Sequence, residues 1–224
     1  GVVQKLQQIQ IKSPTPATST PPPGSPPAQA EPSNLIVLFH SLLPESLSRA
    51  GTFFTSGSVE LVEDSELKSK ALEIIGNASS TNYLFFPESP SATIRSDPSL
   101  GFLLLTIKPI ARYCSFEFTI EDSKNVLRKF KASNFGSAAR LKPQSAIVPM
   151  KLQDGWNRVS VNLNDICRKA YGTDLKKLVR FQLNGGIRVR RVLLAEEDFG
   201  DQVLAKGVEF WKERQFEEEG GRKG

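Results

Sequence analysis

Hydrophobic and polar residues alternate with a period of two along much of the second half of the chain. Phe116, Phe118 and Ile120 alternate with Glu117 and Thr119, and Val159, Val161 and Leu163 with Ser160 and Asn162. Val179, Phe181 and Leu183 alternate with Arg180 and Gln182. A strand sends successive side chains to opposite faces, so this period predicts sheets with one buried face. Shorter apolar runs bounded by turn formers predict further strands at 35–39, 58–62, 71–75, 83–86 and 102–107. The polar stretch 121–125 leads into 126–131 as a hairpin. Asn184, Gly185 and Gly186 have the residue types that supply positive φ in a tight hairpin returning the chain as 187–194. One helix is predicted over 165–171, capped by Asn164 or Asp165 and closed by Gly172.

Outside this region the pattern changes. Residues 13–33 are Pro-rich, which removes backbone donors and favours extended geometry, so they read as a tether. Residues 2–12 alternate weakly and suit either a short strand or a helical anchor. Residues 201–219 hold helix formers with Leu204, Val208 and Trp211 on one stripe, weakened by Gly207. Many short strands with sparse helix predict an all-β chain, a jelly-roll-like β-sandwich with one short internal helix and a candidate C-terminal helix. The organisation expected is a tether over 1–33, a domain over 34–196 and an acidic tail over 197–224.

Charge sharpens this picture. The net charge is +5, but residues 34–123 carry 6 basic and 11 acidic groups while residues 124–196 carry 16 basic and 4 acidic. Arg128, Lys129 and Lys131 fall on one predicted strand, Arg140 and Lys142 on the next loop, Arg168 and Lys169 on the helix, and Arg188, Arg190 and Arg191 on the last strand. Strict alternation puts Arg188 and Arg190 opposite Ile187 and Val189, facing solvent or a partner, because burying an unpaired charge is costly. These ten residues form the candidate binding set for an acidic partner.

Candidate catalytic chemistry is sparse. There is no nucleophile elbow and no phosphate-binding glycine loop. His40 is the single histidine and stands beside an apolar run, which favours a structural role over a catalytic one. With Cys114 and Cys167 it falls short of a usual four-ligand zinc set, and both thiols are expected reduced, buried and intracellular. No metal, no cofactor and no enzymatic activity are expected. No stretch approaches the ~20 apolar residues of a membrane span, and residues 1–13 lack a secretory signal pattern. Trp156 and Tyr171 could form a sugar platform, though Trp156 favours a core or rim position. The basic block lacks the interleaved aromatics of a base-stacking sheet, so nucleic acid is a weak reading.

Several strings in order carry a resemblance. They are Leu72-Glu73-Ile74-Ile75-Gly76-Asn77, Phe116-Glu117, the run 124–135 from Lys124 to Phe135, Pro149-Met150-Lys151-Leu152, Asp154-Gly155-Trp156-Asn157, Arg168 to Thr173, and Arg188-Val189-Arg190-Arg191-Val192. With them the chain resembles the cilia- and flagella-associated protein 20 (Bug22-like) family, well over 72–194 and weakly over 35–71. It departs from that pattern in its Pro-rich extension, in lacking tryptophan at 50–54 and in its acidic tail, which suits a divergent paralogue. The resemblance implies a jelly-roll sandwich similar to carbohydrate-binding modules, without enzymatic activity or cofactor. It also implies a structural place in the cytoskeleton of the cilium or flagellum, in the lumen or at the inner junction of axonemal doublet microtubules. The partners implied are tubulin and neighbouring axonemal proteins within a large hetero-assembly. A sugar-binding module, a nucleic-acid-binding sandwich and a subunit of another large assembly are the alternatives.

Overall fold

A computed structural model describes residues 10–12, 35–76, 81–89 and 91–200. The Pro-rich stretch 13–33 and the candidate C-terminal helix lie outside the described residues. The strands are β1 (Gln10–Lys12), β2 (Leu35–His40), β3 (Gly51–Phe54), β4 (Ser58–Asp64), β5 (Ser69–Ile75), β6 (Asn82–Phe86), β7 (Phe102–Pro109), β8 (Ser115–Asp122), β9 (Leu127–Ser133), β10 (Arg140–Leu141), β11 (Ser145–Pro149), β12 (Asn157–Asn162), β13 (Leu175–Asn184) and β14 (Ile187–Ala195). One α-helix, α1 (Leu163–Tyr171), follows β12, and a 3-10 helix, Pro44–Arg49, follows β2.

The strands form two sheets. Sheet A runs β1-β12-β7-β14-β5-β4, with β2 also paired to β14, and sheet B runs β10-β11-β9-β8-β13-β6-β3. Between them the phenylalanines of sheet B meet the aliphatic inner face of sheet A. Phe116, Phe118, Phe130 and Phe181 are fully buried with Leu103, Leu105, Ile107, Val189 and Val192. Phe118 stacks on Phe130 at 5.1 Å and 11° between planes. The chain is therefore an all-β sandwich with one short helix, as the alternation predicts. Three strands lack a clear period and escape sequence reading: β3, β10 and β11.

Two local expectations are corrected. The Asn184-Gly185-Gly186 stretch does not close a hairpin: β13 lies in sheet B and β14 in sheet A. It is the crossing between sheets, with the Gly185 N–H donating to Asn82 O and the Gly186 N–H to Ile74 O. Gly186 has φ 89, and a Cβ there would meet Ala111 Cβ and Tyr113 O at 2.9 Å. Close approach of two segments of the chain thus requires the glycine. The helix starts earlier than expected because Asn162, not Asn164 or Asp165, is its cap, accepting from the Asp165 N–H at 2.8 Å. Gly172, at φ 65, closes it as the pattern predicts.

Buried polar residues fix the outer side of sheet A. Asp64 accepts hydrogen bonds from the Trp156 indole (3.1 Å), the Arg188 guanidinium (2.8 Å) and the Glu66 and Leu67 amides (3.0 and 3.1 Å). Arg188 also donates to Glu73 at 2.6 Å. Burial alone would raise the Asp64 pKa, but Arg188, these donors and nearby Lys108 hold it at about 2. Trp156 is thus a buried tie between β4 and the start of β12. His40 is buried too, its Nδ1 accepting from the Leu42 amide at 3.1 Å, a structural role. Cys114 and Cys167 are free and buried, and burial pushes the Cys114 thiol up to about 11.

Asp64→Asn should lower stability at pH 7 by about 3 kcal/mol, because it leaves Arg188 short of a buried partner. In the native protein the folded pKa of Asp64 lies below its unfolded value. Its contribution is therefore full above about pH 4 and lost as pH falls towards 2. Denaturant melts across this window should show a smaller pH slope in the variant. Gly186→Ala should cost at least ~2 kcal/mol in the same assay, since it adds both φ strain and a backbone clash.

Candidate docking face

The parity of sheet B decides what its outer surface displays. With Phe116, Phe118, Phe130 and Phe181 facing in, their neighbours face out. Strand register places them in one row: Arg140 opposite Ile147, Ile147 opposite Lys131, Lys131 opposite Glu117, Glu117 opposite Gln182, Gln182 opposite Phe85, and Phe85 opposite Gly51. A second row runs Lys129, Thr119 and Arg180. The middle of this face is a shallow groove of ≈ 260 Å³ lined by Tyr83, Phe85, Glu117, Lys129, Arg180 and Gln182.

The face is basic on one side and aromatic on the other. Lys129 and Lys131 share a single acid, Glu117, at 2.5 and 3.2 Å. Burial would raise the Glu117 pKa, but the two ammonium groups hold it below the usual carboxylate range. Lys129 is 56% exposed, and Arg140 and Ile147 are also exposed. On the far side Phe53 stacks on Tyr83 at 5.0 Å, and the Phe85 ring lies over Gly51, whose missing Cβ leaves it room. The chemistry available is charge attraction and apolar contact.

The other predicted residues go elsewhere. Arg128 turns into the end of the sandwich, donating to Asp122 at 2.8 Å and lying 4.3 Å from the centre of the Tyr171 ring. Tyr171 packs edge-on against Phe130 and donates to Lys142 O at 3.2 Å. Tyr171 and Trp156 therefore do not form a sugar platform: Trp156 is 8% exposed and hydrogen-bonded to Asp64. Lys142 is exposed on the β10–β11 turn beside this end. Arg168 and Lys169 sit on α1, paired with Asp174 at 2.5 Å and Asp165 at 2.7 Å.

The β14 arginines belong to the opposite sheet, where Arg188 and Arg190 share the face away from Ile187 and Val189, as alternation predicts, and reach Glu73 and Ser69 of β5. A bulge between Val189 and Arg191 shifts the alternation, so that Arg191 takes the place opposite Thr106. Arg191 is buried and donates to the Thr106 hydroxyl at 3.0 Å. Arg190 reaches Ser69 at 3.1 Å, and Arg188 is held by Asp64 and Glu73. The ten candidates thus divide among sheet B, the sandwich end and sheet A.

Sequence reading missed Arg180, Gln182, Phe85 and Tyr83 on this face. The alternation over 179–183 already marked Arg180 and Gln182 as outward, but strand order could not be read. It also missed a separate patch at another edge, where Phe135, 70% exposed, meets Tyr113 edge-on at 4.9 Å. Among the described residues, no group of three His, Cys, Asp or Glu is placed to hold a metal ion.

Comparison with known proteins bears on what carries this face. A family model described as the CFA20 domain matches residues 28–211. The chain is 37% identical over 150 residues to cilia- and flagella-associated protein 20 of Chlamydomonas reinhardtii, covering 67% of this chain and 78% of that protein. Its identity to the protein of the same name from Caenorhabditis elegans is 35% over 172 residues, covering 77% and 84%. Among solved structures, the family 11 carbohydrate-binding module of a Clostridium thermocellum cellulase aligns with a TM-score of 0.32 at 8% identity, over 66% of this chain and 87% of that one. That likeness is too low to assign a ligand. The domain match spans every strand from β2 to β14, and the chain belongs to the CFA20 domain family.

Proposed function

We propose that this chain is a non-enzymatic structural protein of the cilium or flagellum that docks on the microtubule wall of axonemal doublets through the outer face of sheet B. The observation that carries this reading is the row Arg140–Ile147–Lys131 with Lys129 beside it: basic, interrupted by one apolar residue, exposed at Arg140, Ile147 and Lys129 and half-buried at Lys131. Rows of this kind attract an acidic surface at long range and then exclude water at contact. Tubulin is acidic, and the relatives carry the name cilia- and flagella-associated.

The face has two acids on β8, Glu117 and Glu121, against Lys129, Lys131, Arg140, Lys177 and Arg180, whereas the arginines of β14 are turned to acids and hydroxyls of their own sheet. Docking by charge therefore favours sheet B over sheet A. A position in the doublet lumen or at its inner junction suits a domain whose partner surface is a curved protein wall. Neighbouring axonemal proteins would complete the assembly.

Lys129→Ala combined with Arg140→Glu should weaken co-sedimentation with ciliary doublets or microtubules about tenfold, ~1.4 kcal/mol. Lys131 is retained in that variant to keep Glu117 paired, so the fold should melt as the native protein does. Lys70→Glu, at an exposed position of β5 in sheet A, should bind normally. Equal binding of the native protein and the double variant, or loss only with Lys70→Glu, would refute sheet B as the docking face.

A further inference from the structure

The groove of sheet B gathers polar groups on neighbouring strands. Lys129 of β9 stands opposite Thr119 of β8, and Thr119 opposite Arg180 of β13, so one hydroxyl sits between two cations. Adjacent strands lie about 4.8 Å apart, which puts both cations within side-chain reach of a group seated above Thr119. All three residues line the groove, and the Tyr83 and Phe85 rings of β6 flank it beyond β13.

Much of the hydrogen-bonding capacity here is unused. Among the described residues, Arg180 has no carboxylate partner, and its guanidinium donates one bond, to Ser89 O at 3.4 Å. The half-buried Thr119 hydroxyl has no hydrogen-bond partner among them. A planar guanidinium with open donors, beside a hydroxyl and an ammonium, suits an oxyanion. Glu117 narrows the choice. It stands one outward position from Thr119 on β8 and is bound by Lys129 at 2.5 Å and Lys131 at 3.2 Å, so it would repel a doubly charged phosphate. A carboxylate is planar, matches the guanidinium fork and carries one charge on an apolar stem that the Phe85 ring can cover.

We propose that Lys129, Thr119 and Arg180 form a seat for one carboxylate of a protein partner, an acidic side chain inserted into the groove. This rests on the reading of sheet B as the docking face and gives that face a specific point of contact. In the seat the Thr119 hydroxyl and the Arg180 guanidinium donate to the carboxylate oxygens, and the Lys129 ammonium closes the opposite side. The Arg140 row draws an acidic surface in at long range, and the seat sets its position. Its three donors stand on paired strands, so a displaced carboxylate loses them together.

Fluorescence anisotropy of a labelled hexaglutamate peptide with the full-length protein, at about 0.15 M salt, tests the seat. Thr119→Val keeps the charge and the β-branched shape and removes only the hydroxyl. It should melt as the native protein does and bind the peptide about threefold to tenfold more weakly. Arg180→Gln should weaken binding at least ~tenfold. Arg140→Gln, the same charge change on the same face outside the groove, should weaken it no more than about twofold. If Thr119→Val binds as the native protein does, or if the two arginine variants lose equally, the attraction is diffuse and the seat is overturned. Failure of the native protein to bind the peptide overturns it too, and tighter competition by inorganic phosphate than by acetate overturns a carboxylate as the occupant. The docking face itself is judged separately, by co-sedimentation of the variant combining Lys129→Ala with Arg140→Glu.

Discussion

The rest of the structure depends on one packing constraint: the phenylalanines of β8, β9 and β13 must face the aliphatic layer of β7, β12 and β14. Phe116, Phe118, Phe130 and Phe181 are almost wholly removed from water, and truncating any one to alanine would typically cost ~3–5 kcal/mol. A strand has only two faces. Once these rings are inside, Glu117, Lys129, Lys131, Arg180 and Gln182 stand together outside, on one surface. The candidate docking face is thus a by-product of the core, held to the geometry of the sheet rather than carried on a loop. Loops supply only its margin, at Lys142 on the β10–β11 turn.

Charge is organised by the same strand order. In the sequence the acidic first part and the basic second part look like opposed blocks, but the sheets bring them together. Asp122 holds Arg128, Glu117 holds Lys129 and Lys131, Glu121 holds Lys176 and Lys177, and Asp64 with Glu73 holds Arg188. Much of the apparent basic surplus is internal pairing. Exposed pairs of this kind add little stability each, whereas the buried carboxylates Asp64 and Asp122 order the ends of strands through backbone and side-chain donors. What sheet B offers a partner is its excess of cations over acids, with two lysines sharing Glu117 and with Lys129 and Arg140 exposed.

The fold was largely legible from alternation because burial on one face imposes a period of two, visible at Phe116–Ile120 and Val179–Leu183. β10 and β11 were not, because an edge pair of two and five residues is specified by its neighbour β9 and not by its own pattern. Gly185-Gly186 misled for a physical reason: glycine permits a tight hairpin and a close crossing equally, and only the contacts of Gly186 with Tyr113 distinguish them. Lys129 and Lys131 lie on the strand that the sequence predicts, whereas Arg140, expected on a loop, falls on β10. On β14 the bulge at Arg190 leaves Arg188 and Arg190 on the predicted face but carries Arg191 over to a buried place opposite Thr106, which alternation alone does not show. Trp156, Asn157 and Arg128, which stand in the strings that marked the family resemblance, prove to be structural ties: Trp156 to Asp64, Asn157 to the Gln153 and Gly155 carbonyls, and Arg128 to Asp122.

The central claim is that sheet B, not sheet A, meets the partner. Amine-reactivity footprinting of the protein in intact doublets, against the free protein, tests it most directly. The account predicts that Lys129 and Lys131 lose reactivity on assembly while Lys70, exposed on β5, keeps it. Unchanged reactivity at Lys129 and Lys131 together with protection of Lys70 would contradict it.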